Sequence, residues 1–246
     1  MFTKINLDNK TNLFPELLSI TEFEDITKGR KGAILVDNRK DLIPLVRTTT
    51  KYIKPVQKFK QIHYNIMEKI RKKTNLNNIG FNNALIELYD NQYCTMGFHT
   101  DQALDLADDT YIAIYSCYEN PQLNLRKLII QNKITNKRSE IIMDHDSVIV
   151  FNLSTNQQHL HKIILENIQN NNNQWLGITF RLSKTFIQHI NDIPYFYQTT
   201  NILRVANDEE CKDFYQLRSK ENKNIEYKYP EINYTISPSD LLRITC

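Results

Sequence analysis

Cysteine is sparse in this 246-residue chain and never paired: Cys94, Cys117, Cys211 and Cys246 lie far apart with no C-x-x-C spacing. That excludes a zinc knuckle and gives no disulfide framework, so a reducing compartment is expected. No apolar run reaches the roughly 20 residues that span a bilayer, and residues 1–15 have no signal-peptide core. A soluble, intracellular protein of cytoplasm or nucleus, with no membrane partner, is the expectation. Charge of one sign is also lacking, since the formal net charge is only +3. A total that small identifies no polyanion partner unless its lysines gather on one face. Glycine is scarce at 5, and the Asn- and Lys-rich polar bulk carries no function by itself. What is present, 41% hydrophobic and 24% charged residues, suits one globular domain with attachments.

Along the chain, Phe59, Ile62, Ile66 and Ile70 recur at helical spacing among lysines and arginines, predicting an amphipathic helix that begins just after Pro55. Its basic face suits a phosphate backbone, although a solvated helix face is the commoner meaning of such a pattern. Short β-rich segments follow at 84–89, 111–118, 126–131, 147–153 and 175–182, and the nearly all-asparagine run 169–174 reads as an exposed loop. Strands of this length separated by polar turns predict an antiparallel sandwich or barrel. The expected organisation is an N-terminal helical and substrate-rim region over 1–80, a β core over 81–190, and an appended helix and tail over 191–246.

Chemistry must be sought among the histidines. In F-H-T-D-Q, His99 and Asp101 flank a single residue, so on an extended segment both side chains project from one face. A non-haem iron(II) oxygenase needs two imidazoles and one carboxylate on one face of an octahedron, leaving positions for a 2-oxo acid and O₂. The third ligand would come from H-L-H-K-I-I, where His161 is preferred because it opens a strand, while His159 lies deeper in a polar turn; both stay open. His145 sits in an acidic turn that launches the next strand, and His63 and His189 read as ordinary structural or surface residues. In W-L-G-I-T-F-R-L-S, alternation puts Thr179, Arg181 and Ser183 on one face. A buried guanidinium needs an anion, and its planar fork fits a carboxylate. Arg181 would anchor the cosubstrate, with Thr179 and Ser183 offering hydroxyls.

From Asn83 to Phe186 these residues resemble the 2-oxoglutarate/iron(II) oxygenases, in their AlkB-like branch. The likeness runs through a strand ending in Tyr89, G-F-H-T-D, D-S-V-I-V-F, H-K-I and G-I-T-F-R-L-S. It implies an α+β protein with a mainly β core, a double-stranded β-helix or jelly roll with flanking helices. It also implies Fe(2+), 2-oxoglutarate and O2, and oxidative demethylation or hydroxylation. Tyr89 matches the family's cosubstrate tyrosine, but Glu87 stands where its N-x-Y asparagine would be, and Trp175 stands where the first of two family arginines would fall. These departures weaken the nucleic-acid substrate that the branch implies and leave a protein or small-molecule hydroxylase as the alternative. The rim would come from residues 46–55, the basic helix and residues 102–109. Arg47, Lys51 and Tyr52 favour a nucleic acid there, and the acidic D-Q-A-L-D-L-A-D-D opposes one. An inactive β-helix serving as a binding or scaffold protein, and a zinc hydrolase, are the other classes the residues allow.

Overall fold

The computed structural model describes residues 1–37, 41–76, 79–166 and 173–244. Most of the asparagine-rich run and Cys246 lie outside the described residues. The elements in chain order are β1 (Thr3–Asn6), α1 (Phe14–Ile20), β2 (Glu24–Thr27), β3 (Arg30–Val36), β4 (Ile43–Leu45) and β5 (Gln57–Lys58), then α2 (Gln61–Thr74). The core continues with β6 (Asn83–Tyr89), β7 (Tyr111–Tyr118), β8 (Lys127–Asn132), β9 (Arg138–Ile142), β10 (Ser147–Asn152), α3 (Leu153–Gln158), β11 (His159–Ile164) and β12 (Trp175–Arg181). After it come β13 (Thr185–Ile190), β14 (Ile193–Phe196), β15 (Arg204–Val205), α4 (Asp208–Lys223) and β16 (Tyr234–Thr235).

The main sheet has eight strands in the order β1-β10-β7-β12-β6-β3-β2, with β5 joined to β3, and a second sheet runs β11-β8-β9. Pairing within both is antiparallel except for β3 with β5. Ile112, Ile114, Ile149 and Phe151 of the main sheet meet Leu128, Ile130 and Ile163 of the second in one buried cluster. The other face of the main sheet carries Ala84, Ile86, Leu88, Ile178 and Phe180, which pack against Phe59, Ile62, Ile66 and Ile70. Covered on both sides, β6 has every residue buried, which is why its sequence reads as a continuous apolar run. The result is a jelly-roll core with flanking helices.

Two expectations change. Residues 1–80 are not a mainly helical rim: β1, β2, β3 and β5 extend the main sheet at both edges. The helix also starts later than Pro55, at Gln61, because residues 57–58 pair in parallel with β3 and the Phe59 amide donates to the Val36 carbonyl (2.9 Å). Since α2 packs on the face of the sheet away from the second sheet, it does not border the space between them. Of its basic residues, Arg71 and Lys72 pair with Glu68 and Lys73 with Asp8, while Lys69 donates to Asn9 Oδ1 (2.6 Å).

Candidate active site

Strand alternation turns Trp175, Gly177, Thr179 and Arg181 of β12 toward the second sheet, beside Leu85, Glu87 and Tyr89 of β6. There Thr179 and Arg181, with Leu85, Glu87 and Tyr89, line a cavity of about 330 Å³ together with His99, Asp101, Gln102 and His161. The jelly roll closes around it where His99 and His161 form an antiparallel bridge, with amide-to-carbonyl bonds of 3.0 and 2.7 Å. That bridge sets the two imidazoles side by side, their centroids 4.7 Å apart. His99 Nδ1 donates to the Gly97 carbonyl (2.9 Å), which leaves Nε2 unprotonated as the free donor atom. Asn156 of α3 accepts from the Asp101 amide (2.8 Å) and donates to its carbonyl (2.7 Å), fixing that backbone.

Asp101 Oδ1 pairs with Arg181 Nη2, and Asp101 Oδ2 lies 3.7 Å from His161 Nε2. Burial opposes ionisation of Asp101, but Arg181 and the two imidazoles outweigh it and hold the carboxyl down at about 2. Burial lowers His99, and burial together with His99 pushes His161 down to about 3. The cluster is thus two neutral imidazoles and one carboxylate, the protonation states in which these groups ligate a metal. Asp101 Oδ2, His161 Nδ1, Arg181 Nε and both amide atoms of Gln102 are buried without a hydrogen-bond partner among the described residues. Such orphaned atoms are costly unless a further group satisfies them. The side chains fit iron in chemistry, although among the described residues no set of three His, Cys, Asp or Glu is already converged as a metal cage.

Of the other expected residues, Tyr89 and Thr179 line the cavity and Ser183 does not. β12 ends at Arg181, and the Ser183 hydroxyl donates to the Leu45 carbonyl (2.5 Å) while accepting from the Thr185 amide (3.0 Å). His159 also lies outside the cavity, with Nδ1 on the Thr155 carbonyl (2.9 Å) and Nε2 near Asn132. His145 Nδ1 accepts from the Tyr118 amide (3.1 Å), and His189 Nε2 donates to the Leu241 carbonyl (3.0 Å). At the rim, Thr48 to Thr50 border the cavity, but Tyr52 is buried and Arg47 pairs with buried Asp105 (2.7 Å). Neither Arg47 nor Tyr52 is free to meet a substrate.

Three further charged residues line the cavity, of which the sequence marked only Glu87, as a departure from the family pattern. Arg30 Nε donates to Glu87 Oε1 (2.8 Å) and Tyr89 donates to Glu87 Oε2 (2.8 Å), so the cavity contains a second, partly buried ion pair. Trp175, Tyr89 and Arg30 occupy one register row across β12, β6 and β3. A cation therefore stands two strands from Trp175 on the same face. The third is Arg218 of α4, which reaches the cavity wall beside Thr100. A lone charge in the apolar run A-L-I-E-L-Y was the available signal for Glu87; Arg30 and Arg218 lie in polar segments that give none.

No curated protein matches this chain. Its fold is similar to that of the solved structure of OsALKBH1, at a TM-score of 0.51 and 12% identity, over 73% of this chain and 97% of that one. At such identity the likeness speaks to the fold alone. The sequence model of the 2OG-Fe(II) oxygenase superfamily matches residues 44–181, a span that contains His99, Asp101, His161 and Arg181. Covering more than half of the sequence, this match means that the chain belongs to the 2OG-Fe(II) oxygenase superfamily.

Proposed function

We propose that the chain is an Fe(II)- and 2-oxoglutarate-dependent dioxygenase in which His99, Asp101 and His161 hold the iron, and Arg181, Tyr89 and Thr179 serve the cosubstrate. The observation that carries this reading is the buried cluster of two neutral imidazoles and an ionised carboxylate in one cavity, with a guanidinium beside it. Iron(II), 2-oxoglutarate and O2 together supply the oxidising power, and one oxygen atom passes to a substrate C–H bond as the 2-oxo acid becomes succinate and CO2.

This chain's residues supply orientation and shielding. Arg181 keeps Asp101 ionised and retains a buried, unpartnered Nε to offer a carboxylate. Arg30, on the same face as Tyr89, contributes a second cation at the Glu87 end, where Thr50 Oγ1 accepts from its Nη2 (3.2 Å). The hydroxyl of Ser183, expected to assist, is occupied by backbone and is left out of this assignment.

A single-stranded nucleic acid is the substrate best supported. Phe98 lies at the cavity with Arg138 5.2 Å and Lys162 4.8 Å from its ring centroid, so an aromatic side chain and two cations are grouped at one point of the rim. The acidic segment that opposed this reading is partly neutralised, Asp105 by Arg47 and Asp108 by Lys184. The test is iron-dependent succinate formation from 2-oxoglutarate, with methylated oligonucleotide, peptide and small-molecule arms. His161→Ala is expected to abolish turnover and His159→Ala to leave it within a few-fold. Loss in His159→Ala alone would transfer the third ligand to that residue, and no turnover or iron binding in the unmodified protein would point to a binding or scaffold role.

A further inference from the structure

The C-terminal helix lies outside the span matched by the superfamily, yet one face of it meets the residue between His99 and Asp101. The buried guanidinium of Arg218 donates from Nη1 to Thr100 Oγ1 (2.8 Å) and from Nη2 to the Thr100 carbonyl, and it pairs with Glu221. Asn222 Oδ1 accepts from the Thr100 amide (3.0 Å) and hydroxyl (3.2 Å). Glu221 Oε1 accepts from the Ala103 amide (2.8 Å), and Lys133, in the turn between β8 and β9, donates to the Glu221 carbonyl (2.8 Å). Both main-chain polar groups and the hydroxyl of Thr100 are thereby satisfied by α4.

This pattern is poorly explained as helix docking alone. The apolar packing of α4 rests on Phe214 with Ile232 and Ile236, whereas the contacts to the triplet are polar and include a buried ion pair. Burying a charge pair gains little stability over an apolar contact, so its yield is better sought in orientation. The angle between the His99 and Asp101 side chains depends on the backbone at Thr100, and α4 holds that backbone from one side while Asn156 holds Asp101 from the other.

We propose that Arg218 and Asn222 are positioning residues for the metal half-site: through Thr100 they make the C-terminal helix part of the iron-binding unit. This rests on the metal assignment above. The test uses the full chain with cobalt(II) as probe, following its visible absorption band during titration and the melting temperature in parallel. The variants are Asn222→Ala, Asn222→Asp, the charge-neutral pair Arg218→Met with Glu221→Gln, and Phe214→Leu, which loosens the helix without touching Thr100. Loss of such an outer contact lowers metal affinity about 10- to 100-fold, and that loss is expected for Asn222→Ala and the pair variant. Asn222→Asp, which keeps the accepting Oδ1, is expected to recover most of the affinity, and Phe214→Leu to lower the melting temperature with affinity nearly unchanged. If Asn222→Ala binds cobalt like the unmodified protein, or if affinity merely follows melting temperature across the set, the inference is overturned. Absence of cobalt binding by the unmodified protein would instead remove the metal assignment, and the inference with it.

Discussion

The His63 ring is buried in the first turn of α2, where Nδ1 accepts from the Lys60 amide (2.8 Å). Burial first, and the Lys60 charge next, hold its imidazole down at about 4. Protonation would place a hydrogen on the accepting nitrogen and a charge in an apolar setting. The folded-state value is depressed, so the unfolded chain takes up a proton first as the pH falls below about 6.5. Stability is then lost progressively down to about pH 4, by roughly 3 kcal/mol for a shift of this size. Asp240, pushed up to about 7 by burial, works in the opposite direction and is shared by any His63 variant. Melting curves of the unmodified protein and His63→Gln between pH 7.5 and 4.5 should therefore diverge, with the steeper acid loss in the unmodified protein. Parallel curves would remove His63 as the source.

At the scale of elements, β12 joins the packing of the sheet to the shape of the cavity. The Trp175 indole folds along the strand over Gly177, where an added Cβ would sit 2.0 Å from Cη2. Overpacking of this kind costs about 1 to 3 kcal/mol, so Gly177→Ala should unfold at lower urea concentration. Adding Trp175→Phe should recover part of the loss, a coupling expected only of side chains in contact. Equal stability of Gly177→Ala and the unmodified protein would contradict the packing. The strands β6, β7, β10 and β12 were legible in the sequence because burial on both faces leaves them as apolar runs. By contrast β1 and β2 are short and largely exposed, with no apolar run to mark them: β2 pairs with β3 across a tight turn, and β1 with β10 far along the chain. The same separation hid Arg30: its place beside Tyr89 is a register fact between β3 and β6, written in neither segment alone. His99 and Asp101 were readable as a local pair, whereas the hold of α4 on Thr100 joins segments that share no motif.

Over the whole molecule, four interior carboxylates have guanidinium partners, Asp101 with Arg181, Glu87 with Arg30, Asp105 with Arg47 and Glu221 with Arg218, while the buried Arg126 donates to the Tyr93 and Asp90 carbonyls instead. The modest net charge of +3 is therefore no measure of what a ligand meets at the cavity mouth. There, Arg138 of β9 and Lys162 of β11 stand over Phe98, which lines the cavity and directly precedes His99 in the sequence. A base stacked on an aromatic ring contributes about 1 to 3 kcal/mol, and each cation that neutralises a phosphate adds to the salt dependence of binding. Phe98→Ala should therefore weaken binding of a single-stranded oligonucleotide by about tenfold or more. Arg138→Ala with Lys162→Ala should make the log–log salt slope shallower by roughly 1 to 1.5. Both are measured by fluorescence anisotropy over a salt series, with uncoupled succinate formation checking that the proposed active site is intact. Unchanged affinity and slope in catalytically intact variants would take nucleic acid off this rim and leave a peptide or small molecule as the substrate class.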